Sequence, residues 1–260
     1  MKPFAPNYPR NAEGWIQFPD DPGWRRDIFP PAVMEHPAKF PLGLVKSIIE
    51  SFTEPGDTIM DIMAGTGSTM IGALIGRNII CIELEEWYQE IIQMGKENIE
   101  LTATGWITLL KGDCRDFLPI PVNHIIFSPP YAQILKGKGM DDEKWKSMSH
   151  SHGHQDDYSA NPRNVGNLNH FIYNQVMEKI YGLCYDSVVP GGTMTVVLKD
   201  YMQQGKRIYL SSWLEKVCLR FGFSVFAWYK REAMGSGYQD VWRSKGVITV
   251  DDEDVVTFVK

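Results

Sequence analysis

Three short stretches of this 260-residue chain carry residue types that can do chemistry together. The first is Asp61-Ile62-Met63-Ala64-Gly65-Thr66-Gly67-Ser68-Thr69, which joins a short apolar run to a stretch with helical spacing. Two glycines at such a junction permit a tight turn and bring the backbone close to a ligand. Met70 stands where a dinucleotide fingerprint has its third glycine, and no Gly-Lys-Ser/Thr ending follows. Nicotinamide, flavin and P-loop readings therefore fit poorly. The second feature is Glu83, 22 residues after Asp61 and at the end of the next apolar run. A carboxylate there can accept hydrogen bonds from both hydroxyls of a ribose. The third is Ser128-Pro129-Pro130-Tyr131, directly after Ile125-Ile126-Phe127. Two prolines stiffen the chain, expose a carbonyl and hold an aromatic ring in place. A planar base can then stack on Tyr131 while its amino group donates to the Ser128 hydroxyl and the Pro129 carbonyl.

These residues need a scaffold that gathers strand ends. Leu42, Val45, Ile48, Ile49 and Phe52 repeat at helical spacing before the turn Pro55-Gly56-Asp57. Thr58 to Ile62 reads as a buried strand, Ser68 to Ile75 as a helix closed by Gly76, and Asn78 to Glu83 as a second strand, together a βαβ unit. Further along, Tyr88 to Ile99 and Phe171 to Tyr185 predict helices, and Trp106 to Leu110 and Ile125 to Phe127 predict strands. Pro190-Gly191-Gly192 predicts a turn into a strand over Thr193 to Leu198. Ile208 to Phe221 is expected to be helical, and Ser224 to Tyr229 and Val255 to Val259 are expected strands, with Trp213 and Trp228 in the core. Alternating strands and helices imply an α/β fold with a mostly parallel sheet covered on both faces.

Eight of the 16 prolines fall within residues 1–37, which predicts an extended N-terminal arm laid over the body. The body then runs from 38 to 260. Residues 133–167 read as a polar loop long enough to be a recognition or lid element. Its Lys136, Lys138, Lys144 and Lys146 can track phosphate, although Asp141, Asp142 and Glu143 offset much of that charge. His150, His152 and His154 lack a Cys or acidic partner at metal-binding spacing, so no metal site is expected.

Composition narrows the partners. The chain has 26 basic and 32 acidic residues, a net charge of −6, so nucleic-acid contact requires a local basic surface. Cys81, Cys114, Cys184 and Cys218 are scattered without Cys-x-x-Cys spacing, which points to a reduced, cytoplasmic protein. No secretory pattern or apolar run of about 18 residues is present.

The chain resembles the amino-methylating DNA methyltransferases that use S-adenosylmethionine. Asp61 to Thr69 is similar to that family's cofactor loop, and Ser128 to Tyr131 to its Ser/Asp-Pro-Pro-Tyr motif. The resemblance extends to His36-Pro37-Ala38-Lys39-Phe40-Pro41, Gly76-Arg77, Ile82-Glu83-Leu84 and Gly112-Asp113-Cys114. It continues in Asn164-Val165-Gly166-Asn167-Leu168, Pro190-Gly191-Gly192, Gly222-Phe223 and Glu253-Asp254-Val255-Val256, and so covers roughly residues 35–260. Two departures stand out. Ile62-Met63 replaces the family's usual Pro-Phe, and the large target-recognition domain of many members has only 133–167 and 231–245 as counterparts.

The resemblance implies a Rossmann-like class I methyltransferase fold with a seven-stranded sheet. It implies that Asp61, Ala64, Gly65 and Gly67 shape the methionine end of the cofactor pocket, with Lys39 and Phe40 closing it. Glu83 would hold the ribose and Asp113 the adenine amino group, while Ser128, Pro129, Pro130 and Tyr131 receive the target base. The implied activity is methylation of an exocyclic amine on a DNA base flipped out of the duplex. Ser128 leans toward cytosine N4. Adenine N6 methylation, methylation of an RNA guanine amine and a non-catalytic cofactor-binding subunit stay open, as does the oligomeric state. A place in restriction-modification follows from the same resemblance.

Overall fold

The structure is a computed structural model that describes residues 3–35, 39–130, 161–203, 205–233 and 248–260. In chain order the helices and strands are α1 (Pro22–Ile28), α2 (Leu42–Phe52), β1 (Thr58–Asp61), β2 (Asn78–Glu83), α3 (Glu86–Glu100), β3 (Ile107–Lys111), α4 (Cys114–Phe117) and β4 (Val122–Phe127). Then come α5 (His170–Ser187), β5 (Val188–Leu198), β6 (Tyr201–Gln203), β7 (Lys206–Ile208), α6 (Leu210–Phe221), β8 (Ser224–Glu232) and β9 (Asp252–Val259). Seven strands form one sheet in the order β3-β2-β1-β4-β5-β9-β8. The first five are parallel, and β9 pairs antiparallel with both β5 and β8. This is the expected mostly parallel, seven-stranded Rossmann-like sheet. The strand order reverses between β1 and β4, the switch point where open α/β sheets leave a crevice.

Side chains alternate across the central strands, and both faces are dry. Met60, Ile125, Phe127, Met194 and Val196 join Tyr173, Met177, Ile180, Leu214 and Val217 of α5 and α6 on one face. Ile59, Ile79, Ile126, Val197 and Val255 meet Leu44, Val45, Ile48 and Ile49 of α2 and Ile91 and Ile92 of α3 on the other. This period of two between covered faces explains the unbroken apolar runs of the sequence.

Several local expectations need correction. The arm is not wholly extended: α1 makes two turns with proline at its start, a position where the missing N–H costs nothing. The arm also enters the core, burying Phe4, Ile16, Phe18 and Phe29. Ser68–Ile75 is helical but wound as 3₁₀, between left-handed Gly67 (φ 76°) and Gly76 (φ 82°). Pro190-Gly191-Gly192 lies inside β5 rather than before it. Val188 pairs with Val122 and Thr193 with His124, so the intervening residues bulge out of register. Trp228 is 37% exposed, its indole N–H donating to Asp254 at 2.8 Å, so it is not a core residue. The hairpin β6–β7 lacked any sequence signal. It presents Arg207, which bridges buried Asp200 and Asp252 at 2.8 and 2.7 Å and so anchors the start of β9.

Candidate active site

Four parallel strands deliver their carboxyl ends to one crevice. Asp61 ends β1, Glu83 ends β2, Asp113 follows β3 by two residues, and Ser128 follows β4 directly. A cavity of about 240 Å³ opens there. Lys39, Phe40, Asp61, Ala64, Gly65 and Glu83 line it, as do Asp113, Ser128, Pro129 and Pro130. The structure thus brings together all but two of the site residues expected from sequence. Gly67 lies behind the wall: a Cβ on it would meet Met70 Cε at 2.7 Å and Ile92 Cγ1 at 3.1 Å, so this glycine is required for the turn and its packing. Tyr131 lies outside the described residues, as do His150, His152, His154 and the lysines of the polar loop.

The glycine turn is tied to both neighbouring acids. Ala64 N–H donates to the Ile82 carbonyl at 3.0 Å, fastening the turn to β2. Gly65 N–H donates to Glu83 Oε2 at 2.6 Å and Glu85 N–H to Glu83 Oε1 at 2.8 Å. Asp61 accepts from the Thr69 hydroxyl and, at 3.2 Å, from Met63 N–H. Burial pushes Glu83 up to about 7 and Asp61 up to about 6, against the pull of these hydrogen bonds.

The leading segment is locked on by a buried arginine. Arg25, 1% exposed, donates to Ser68 Oγ at 2.9 Å, to the Phe40 carbonyl at 2.5 Å and to Asp21 at 2.9 Å. Asp21 also accepts from Leu42 N–H at 2.5 Å. One side chain therefore joins the arm, the Phe40 wall and the start of the glycine-loop helix. Lys39, half-buried, donates to the Met34 carbonyl at 3.0 Å, and burial followed by the charge of Arg25 lowers its pKa. A pattern search misses Arg25 because nothing in its own neighbourhood marks a buried cation.

Asp113 is held differently from the expectation. It caps α4, accepting from Arg115 N–H at 2.9 Å and Arg115 Nε at 2.8 Å. Arg115 Nη2 and, at 2.9 Å, Arg163 Nε reach its second oxygen. Burial raises its pKa, but the hydrogen bonds and charges of Arg115 and Arg163 outweigh that and hold it below the usual range. Four donors occupy two oxygens, so the carboxylate's capacity is filled within the chain. Nearby, residues 161–167 form part of the wall through Arg163, Asn164 and Val165, with Asn164 Nδ2 donating to Glu85 at 2.7 Å. The sequence alone predicts this stretch as the end of the recognition or lid loop.

The donor set suits an adenosine-bearing group. A buried carboxylate can take diol hydroxyls, and Ile62, Leu84, Val165 and Ile180 supply apolar surface for a ring. Among the described residues no group of three or more His, Cys, Asp or Glu could hold a metal, and no helix is long and apolar enough to cross a membrane.

Comparisons with known proteins bear on the same region. A sequence profile of the family described as DNA methylase matches residues 11–94, which run from the arm through β1, the glycine turn and β2 into α3. The chain is 43% identical over 67 residues to the Type II methyltransferase M.BglI of Bacillus subtilis, covering 25% of this chain and 18% of that protein. It is 45% identical over 58 residues to the Type II methyltransferase M2.MboI of Moraxella bovis, covering 22% and 21%. The chain thus matches about a fifth of the length of these relatives. Among solved structures, a methyltransferase from Pyrococcus furiosus aligns with a TM-score of 0.50 at 16% identity, over 86% of this chain and 85% of that one. A SAM-dependent methyltransferase from Methanosarcina mazei aligns with a TM-score of 0.51 at 9% identity, over 82% and 96%. These last two likenesses concern the fold.

Proposed function

We propose, from the match of residues 11–94 to the family described as DNA methylase, that the chain methylates an exocyclic amine of a DNA base using S-adenosylmethionine. One observation carries the reading: Ser128, Pro129 and Pro130 line the same cavity as the glycine turn and Glu83. A cofactor half and an acceptor corner then share one crevice.

When bound, the cofactor supplies a methyl group already activated by its sulfonium, which leaves the protein mainly a positioning task. Glu83 accepts the ribose hydroxyls, with the Gly65 and Glu85 amides fixing its carboxylate. Ile62, Leu84 and Val165 would give the adenine apolar surface, and Lys39 and Phe40 would close the pocket from the leading segment. Asp113 holds Arg163, which lines the cavity, and Arg115 beside it.

At the acceptor corner the Ser128 hydroxyl and the Pro129 carbonyl accept the two N–H bonds of the amine. This directs the nitrogen lone pair toward the methyl group, and the surplus proton leaves to solvent after transfer. Tyr131 stacks on the extruded base, offsetting part of the few kcal/mol spent on unstacking. A neutral hydroxyl accepts less strongly than a carboxylate, so more of the work falls on the Pro129 carbonyl. Ser128 in place of the Asp of many adenine-modifying relatives favours cytosine N4.

The experiment is incubation with labelled S-adenosylmethionine and, separately, DNA, tRNA and protein acceptors, followed by mass spectrometry of the nucleosides. N4-methylcytosine in DNA is expected. N6-methyladenine would replace the base assignment, and label in tRNA or protein alone would replace the substrate.

A further inference from the structure

The chain leaves β5 beside the acceptor corner. Phe127 pairs with Val196, so Leu198, the last residue of β5, lies level with Pro129. Three residues on, β6 begins with Tyr201, whose register partner in the hairpin is Ile208. A second element starts from the same place: Asn164 and Val165 line the cavity, and α5 begins five residues after Val165, at His170. The His170 and Tyr201 rings lie 6.4 Å apart between centroids, so the start of α5 and the hairpin form one surface next to the cavity.

That surface holds aromatic rings and positive charge out in water. Phe171 is 70% exposed and Tyr209 59%. Lys206, at the turn of the hairpin, is exposed, and Arg207 covers the Tyr209 ring at 5.4 Å from its centroid. Asp200 and Asp252 beneath the hairpin are 3% and 1% exposed and are held by Arg207, so these acids are turned into the protein. Neither 170–172 nor 205–209 contains an acid, in a chain of net charge −6. The hairpin is also held firmly, since Asp200 accepts from Leu210 N–H at 2.9 Å as well as from Arg207. A stiff surface of exposed rings around a cation matches a partner with flat faces and negative charge. Nucleic acid offers both, in its bases and its phosphate backbone.

Resting on the function proposed above, we propose that the start of α5 and the β6–β7 hairpin form the docking surface for the duplex beside the flipped base. Lys206 meets a backbone phosphate. Phe171 and Tyr209 lie against bases that lose a stacking neighbour when the target leaves the helix. A negative body with a locally acid-free surface also favours the approach of DNA from this side, next to the acceptor corner.

The test is duplex binding by fluorescence anisotropy over a range of salt concentrations, with S-adenosylhomocysteine present and the sequence context mapped in the methylated product. Lys206→Ala is expected to raise Kd and to lower the slope of log Kd against log salt by about one. Phe171→Ala combined with Tyr209→Ala is expected to raise Kd about tenfold or more with the slope unchanged, because stacking releases no counterions. All three side chains are exposed, so these variants leave the core intact, and S-adenosylmethionine affinity from calorimetry is expected within about twofold of wild type. Trp106, 47% exposed just before β3 and so at the opposite end of the parallel strands, is the control: Trp106→Ala is expected to bind the duplex as wild type does. Unchanged Kd in the surface variants, while wild type binds and methylates DNA, overturns the docking surface and leaves the functional reading standing. An equal loss in Trp106→Ala, or a parallel loss of cofactor affinity in the surface variants, also overturns it. Wild-type protein that methylates tRNA or protein and binds no duplex overturns the functional reading, and the docking surface with it.

Discussion

Gly65 gives its backbone N–H to Glu83 Oε2 at 2.6 Å, so the turn after β1 and the acid ending β2 form one rigid unit. The carboxylate proposed to hold the ribose is thus oriented before any ligand arrives. The two N–H contacts are stronger to the ionised form, because a carboxylate oxygen accepts better than an oxygen of the neutral acid.

Cofactor affinity is expected to fall on acidification. Burial raises Glu83 to about 7, and the ionised form is the better acceptor for hydroxyls. Below that value the ionised fraction drops about tenfold per pH unit, so binding at pH 6 is weaker than at pH 8 by about tenfold. Glu83→Gln weakens binding at pH 8 and flattens this dependence. Calorimetric titration of S-adenosylmethionine at both pH values checks it, and a flat wild-type profile removes Glu83 from the binding step.

Arg25→Met is expected to destabilise the fold by about 2–4 kcal/mol, since it strands a carboxylate, a hydroxyl and a carbonyl that now share one guanidinium. Urea unfolding measures the loss. Cofactor affinity drops with it, because Phe40 and Ser68 both lose their tie. A destabilised variant that retained full cofactor affinity would show that the latch serves stability alone.

Ser128→Ala and Tyr131→Ala are expected to lower methyl transfer by about tenfold or more while changing cofactor affinity by less than about twofold. Their proposed partner is the acceptor. Single-turnover rates beside calorimetry separate the two effects, and equal losses in both would move the residue to the cofactor side.

His124 sets part of the acid limit of stability. It is fully buried in β4, bonded through Nδ1 to Thr193 Oγ1 at 2.7 Å, and burial pushes its pKa down to about 3. Its folded value lies below the unfolded one of about 6.5, so its contribution is complete above pH 6.5 and is lost toward pH 3, by about 1.4 kcal/mol per unit. Asp61 and Glu83, raised by burial, act in the opposite direction, favouring the fold as pH falls from about 7 toward 4. His124→Phe leaves only the second trend. Urea unfolding at pH 7 and pH 5 is expected to show stability rising on acidification in the variant more than in the wild type.

The parallel half of the fold was legible because each of its strands is a short apolar run between turn residues, and each site acid closes such a run. Glu83 and Ser128 follow from that rule, and Asp61 from the glycine turn beside it. What stayed hidden depends on contacts distant in sequence. Arg25 reaches Ser68 across 43 positions, and Arg231 meets Glu253 only because two strands pair. Asp113 was expected to face a ligand, but the arginine two residues on competes for it, and its outcome depends on Arg163 from a different segment. The close seating of the helix after Gly67 also depends on distant contacts: a Cβ at Gly72 would lie 2.7 Å from Ile79 and 3.0 Å from Ile49.

Ile16 receives a further reading from its place beside β8. Its N–H donates to the Lys230 carbonyl at 3.0 Å and its carbonyl accepts from Glu232 N–H at 2.9 Å, so the arm runs parallel to the outermost strand. A bare strand edge is a template for pairing with another chain. The arm occupies that template at Arg231, and Phe4 stacks on Tyr229 with ring centroids 4.5 Å apart. Removing residues 3–18 would therefore do more than loosen the core. It would uncover the ladder groups on which aggregation is seeded, so the arm also protects the protein's solubility on storage.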